Sequence, residues 1–156
     1  MKPLIIIACS VFILMTGCRD KETPVTESSP VAEETVKPNL EQQAVWKKDI
    51  QLNQGTQWKA NRETTEGILK MSEILAKSSP SSPEDYRVLG DALNEEKNLV
   101  IKRCTMKGPS HDNLHIYLQP LIGKIGELQE VDSAEKGELL ISEIEEHLEA
   151  YHSYFI

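Results

Sequence analysis

Residues 53–156 predict an all-α domain, an up-down-up-down four-helix bundle. Three observations lead there. Apolar residues recur three and four apart through four stretches of helix length. Short breakers, Ser78 to Ser82, Gly108-Pro109 and the segment before Ser133, separate those stretches. No run alternates apolar and polar residues over a useful strand length, and the chain has no internal repeat. Links this short place successive helices side by side and antiparallel.

The elements are read in chain order. Lys2 opens a short positive start, and Leu4 to Met15 is almost wholly apolar and uncharged. That run falls short of the roughly 20 residues a membrane-spanning helix needs and has the size of a signal-peptide core. It leads into Leu14-Met15-Thr16-Gly17-Cys18. This stretch resembles the lipobox of bacterial lipoproteins, in which a cysteine directly follows a small residue. The resemblance implies cleavage between Gly17 and Cys18, diacylglycerol on the Cys18 sulfur, and attachment to a membrane of the bacterial envelope, at its periplasmic face or outer surface. Several acyl chains on one residue hold far more firmly than one. An ordinary secretory signal or a single membrane anchor is the competing reading.

Residues 1–17 are thus expected to be a signal segment, and residues 18–52 a lipidated tether. Residues 19 to about 40 hold three prolines, many Ser, Thr and Glu, and no aromatic residue. Such a stretch buries too little apolar surface to order itself. As flexible chain it averages roughly 25–30 Å end to end. Leu40 to Ile50 is expected to form a short helix around Trp46.

The first long helix is expected from about Thr56 to Lys77, with an inner stripe of Trp58, Asn61, Thr65, Ile68, Met71 or Ser72, and Leu75. The second opens at Ser82-Pro83-Glu84-Asp85. Ser82 suits the N-cap, Pro83 suits the first helical position, and the two acids complement the helix dipole. Its stripe is Tyr86, Leu89, Leu93, Val100 and Cys104, and Gly108-Pro109 ends it. Ser110 is expected to cap the third, with His111, Leu114, His115, Leu118, Leu121, Ile122, Ile125 and Leu128 inside. Pro120 lies within this run and should kink it. Asp132 or Ser133 caps the fourth, with Leu140, Ile141, Ile144, His147, Leu148, Tyr151 and Phe155 inside.

Two further resemblances attach to these stretches. Ala150-Tyr151-His152, within E-E-H-L-E-A-Y-H-S-Y-F, is similar to the last helix of the soluble periplasmic b-type cytochrome, a four-helix bundle. The patterns W-x-A-N-x-x-T-T-x-G-I-x-x-M at Trp58 to Met71 and C-T-M-x-G-x-x-H-x-x-L-H at Cys104 to His115 resemble a group of uncharacterised bacterial lipoproteins. That likeness implies the bundle fold and brings no activity with it.

Charge and cysteine usage narrow the function classes. The chain carries net charge −8 with no basic cluster, which argues against nucleic acid and against a helix lying on anionic lipid. Of three cysteines, Cys9 leaves with the signal and Cys18 is lipidated, so Cys104 is alone. A lone thiol in an oxidising compartment calls for burial, a metal or a partner.

The bundle topology places the end of the second helix, the starts of the first and third and the end of the fourth at one pole. Cys104, His115 and His147 fall there, with His111 and Met106 as auxiliary groups and Asn61, Thr65 and Tyr151 around them. Nitrogen and sulfur donors of this kind suit copper or zinc rather than calcium or magnesium. The expectation is a soft-metal site for sensing, storage or transfer. The same residues also fit a hydrogen-bonded core in a domain that docks an envelope protein, with Cys104 as a small buried hydrophobe. Haem is a third reading: Met71 and His152 would lie at opposite poles, so His115 and His147 are the easier pair, and the absence of C-x-x-C-H rules out covalent attachment. A Cys104–His dyad is the one nucleophilic arrangement available, but no oxyanion element, G-x-S-x-G, phosphate loop or H-E-x-x-H accompanies it, so no enzyme is expected.

Overall fold

The computed structural model describes residues 45–156; the expected signal segment, Cys18 and the rest of residues 1–44 lie outside the described residues. The described chain is all-α. Its helices are α1 (Trp46–Asp49), α2 (Arg62–Lys77), α3 (Pro83–Arg103), α4 (Pro109–Gln129) and α5 (Ala134–Glu149), followed by a 3-10 turn over Ala150–Ser153. None of these is long and apolar enough to cross a membrane.

Local chemistry sets most boundaries. At α3 the Ser82 hydroxyl accepts from the Asp85 amide at 3.2 Å, and the Ser82 amide donates to the Asp85 carboxylate at 3.0 Å. This reciprocal box satisfies two orphan amide donors of the first turn, and Pro83 fills a position that needs none. The Ser82 hydroxyl bond, foremost among several, holds the Asp85 carboxyl below its usual range. Ser133 caps α5 by accepting from the Lys136 amide. Two predicted starts are corrected. Gly108 (φ 64°), not Ser110, precedes α4, with Pro109 at its first position. α2 begins at Arg62 rather than Thr56, because residues 53–60 are held in another structure. Asn53 and Thr56 exchange backbone hydrogen bonds around Gln54 and Gly55, both at positive φ, as in the tight turns of hairpins. Trp58 and Ala60 then pair with the C-terminus: the Trp58 amide donates to the Tyr154 carbonyl and the Ala60 amide to that of Ile156.

The long helices pack as consecutive antiparallel neighbours. Gly67, early in α2, lies so close to Val100, late in α3, that a Cβ there would overlap the valine. The Gln129 side-chain amide at the end of α4 donates to the Asp91 carboxylate in the first half of α3. Thr65 of α2 reaches Tyr151, just past α5, at 3.0 Å. The core between them holds Ile68, Met71, Leu93, Leu114, Leu121, Ile125, Leu128 and Ile144. α4 remains one helix through Pro120.

The packed domain starts earlier than residue 53. Trp46 and Ile50 are both core residues. The Trp46 ring lies 4.6 Å from that of His147 and 5.5 Å from that of Tyr117. The Gln51 amide donates to the Asn113 side chain at 2.7 Å. The expected short helix around Trp46 is therefore present as α1, and it packs into the helical core.

Candidate functional site

The polar pole is real, but its residues divide into three groups. In the first, Asn61 precedes α2. Its side-chain oxygen accepts from the Thr64 hydroxyl at 2.7 Å, and its amide donates to the Arg103 carbonyl at 3.2 Å. Thr65 and Tyr151 share a hydroxyl–hydroxyl bond. Burial pushes the Tyr151 hydroxyl above its ordinary pKa; the Thr65 bond works against that shift, and the neighbouring Cys104 adds to it. Cys104 itself is half-buried against the core, in extended backbone just past α3, and Met106 packs nearby in the same way. Asn61, Thr65, Tyr151 and Cys104 thus lie near one another, with Asn61 just before α2 and Cys104 just past α3 rather than on their helical stripes.

The second group centres on His147, which is 3% exposed. Its Nε2–H donates to the Tyr117 carbonyl at 2.8 Å. The acceptor is a carbonyl, so the ring nitrogen must be the donor, which fixes the tautomer. The Tyr117 hydroxyl donates back to the His147 carbonyl at 3.0 Å. That carbonyl lies in the last turn of α5, where helix carbonyls lack their usual partners. Each residue's side chain therefore bonds the other's backbone, across two helices. Rings of Trp46, Tyr151 and Phe155 close around Tyr117. Burial lowers the His147 pKa to about 4; the Tyr117 carbonyl opposes this, while Lys124 and Lys47 add to it and Glu146 opposes it. The imidazole is neutral at pH 7.

The third group is His111 and His115. Both lie toward solvent on α4, His111 partly buried and His115 exposed, with their Nε2 atoms 3.2 Å apart. The predicted stripe of α4 is corrected here. Asn113, Leu114, Tyr117 and Leu118 face inward, and Ile122 is 36% exposed.

The expected metal shell of Cys104, His115 and His147 is therefore not assembled. His115 faces outward while His147 is sealed inside and bonded to Tyr117. Among the described residues no three His, Cys, Asp or Glu side chains converge to hold an ion. The same separation parts His115 from His147 as axial haem ligands. Met71 is wholly buried in the core, whereas His152 is exposed. No buried side-chain nitrogen or oxygen among the described residues lacks a hydrogen-bond partner, so this pole is a satisfied polar core.

Sequence reasoning missed Tyr117, Thr64 and Asn113, all buried and hydrogen-bonded. It also missed a groove at the opposite pole, lined by Ile74, Pro80, Val88, Leu89 and Ala92 and edged by Lys77 and Asp85. Val88 there is 59% exposed. Comparison with known proteins gives no match to any family model, curated protein or solved structure.

Proposed function

We propose that this chain is a bacterial lipoprotein, held in the envelope by lipid on Cys18, whose four-helix bundle acts as a tethered docking module for another envelope protein. The observation that carries the reading is the open apolar groove between the end of α2 and the start of α3. Exposed Val88 beside half-buried Ile74 and Ala92 forms a small concave surface, apolar at its floor and rimmed by Lys77, Ser78, Ser79 and Asp85, open to a partner's apolar side chain. The self-satisfied polar pole supports it from the other side, because the buried histidine is committed to holding the bundle together. The Leu14-to-Cys18 motif and the acidic, proline-bearing stretch after it support the anchor.

A photo-crosslinking residue at position 88 of the full chain, expressed in its native envelope, tests this. A discrete adduct of one mass is expected, lost when Ala92→Glu places a charge in the groove. Cys18→Ala is expected to abolish fatty-acid labelling and release the protein from the membrane fraction. Absence of a discrete adduct, or an adduct indifferent to Ala92→Glu, contradicts the docking role. Retained membrane attachment in Cys18→Ala contradicts the anchor.

A further inference from the structure

The docking reading leaves His111 and His115 without a task. They stand one helical turn apart on the solvent side of α4, which keeps their rings neighbours. Their ring centroids are 4.4 Å apart and the rings are nearly perpendicular, at 82°. The two Nε2 atoms meet at 3.2 Å. A neutral imidazole has one N–H and one lone pair. The contact can therefore be a hydrogen bond, with one Nε2–H donating to the other ring's lone pair. Moving that one proton to Nδ1 leaves a lone pair on each Nε2, and small rotations of the rings turn both toward one ion.

The spacing matches what an ion requires. Metal–imidazole bonds are about 2.0–2.1 Å, so two of them at angles between square and tetrahedral place their nitrogens roughly 2.9–3.4 Å apart. The observed separation lies inside that window, so chelation requires no change of helix geometry. We propose that His111 and His115 form a two-histidine chelate for a divalent transition ion, copper(II) or zinc, on the outer face of α4. Two neutral imidazoles without a thiolate favour these over cuprous copper, and copper(II) binds the more tightly of the two. The half-open surface leaves the remaining coordination positions to water or to a donor from another molecule. The positive end of the α4 dipole works against a cation, and Asp112 in the first turn offsets it.

This site is separate from the groove and stands or falls on its own. Copper(II) is titrated into the full chain and followed by electron paramagnetic resonance and by calorimetry. One equivalent is expected to bind with a signal carrying two nitrogen ligands. His111→Ala and His115→Ala, at positions outside the core, are each expected to weaken binding at least tenfold while the helical circular-dichroism spectrum is unchanged. His152→Ala is expected to leave binding as it was. Binding that survives both helix-four substitutions, or that His152→Ala abolishes, overturns the proposal.

Discussion

Truncation of Tyr117 to alanine is expected to lower stability by about 3–5 kcal/mol, the largest effect of any single change considered. A fully buried aromatic removed from a core costs that much through lost burial and the cavity left behind. Tyr117 is 0% exposed and touches the rings of Trp46, His147, Tyr151 and Phe155. It also donates to the His147 carbonyl, and burial, with a smaller push from Tyr151, raises its hydroxyl well above the usual tyrosine pKa, so the donor stays protonated. For a domain of this size, such a loss lowers Tm by roughly 15 °C or more. Tyr117→Phe keeps the ring and removes only the hydroxyl; about 1–3 kcal/mol is expected from the stranded carbonyl. Urea unfolding followed by circular dichroism measures both. Equal costs for the two variants would show that the ring packing contributes nothing, against the account.

The second large effect is a dependence on pH. His147 has a folded pKa of about 4, against an ordinary value of 6.5. Below 6.5 the unfolded chain binds a proton that the folded one refuses, so protonation favours unfolding. The contribution is complete above pH 6.5 and is lost as pH falls toward 4. A shift of this size corresponds to about 3 kcal/mol, since each pKa unit is worth about 1.4 kcal/mol. Glu63, Glu73 and Asp85 also have lowered pKa values and add their own loss at lower pH, as carboxylates hydrogen-bonded in the fold become protonated. Subtracting the profile of His147→Gln isolates the histidine. The wild type is expected to lose more stability than the variant between pH 6.5 and 4. Parallel profiles would mean that His147 is free to take up a proton in the fold.

The helix starts legible in the sequence were those written in local chemistry. Ser82-Pro83 and Ser133 are caps whose partners lie three residues away, so a linear reading finds them. The failures involve partners far along the chain. Trp58 looked helical because its spacing to Asn61, Thr65 and Ile68 fits a helical stripe, yet its amide is bonded to Tyr154 and its carbonyl to Ile156. The turn at Asn53-Gln54-Gly55-Thr56 leads into chain paired with the C-terminus, so the helix starts later, at Arg62. On α4, Leu114, Leu118, Leu121, Ile125 and Leu128 fit two stripes differing by a small rotation. One takes in His111 and His115, the other Asn113 and Tyr117. Nothing local decides between them. Tyr117 wins because a carbonyl in α5 accepts its hydroxyl, and the rotation carries His115 out to solvent. At the pole, the helical period finds Thr65 on its stripe, while Asn61, Cys104 and Tyr151 lie just beyond the ends of the long helices. The histidines were parted by that small rotation.

Nitrogen-15 spectra of the histidine rings in the full chain, recorded across pH and then with added zinc, test the central claim most directly. A hydrogen-bonded core predicts that His147 keeps its proton on Nε2, titrates near pH 4 and ignores zinc. A His147 ring that titrates near 6.5, or that shifts with zinc together with the Cys104 resonances, would contradict it.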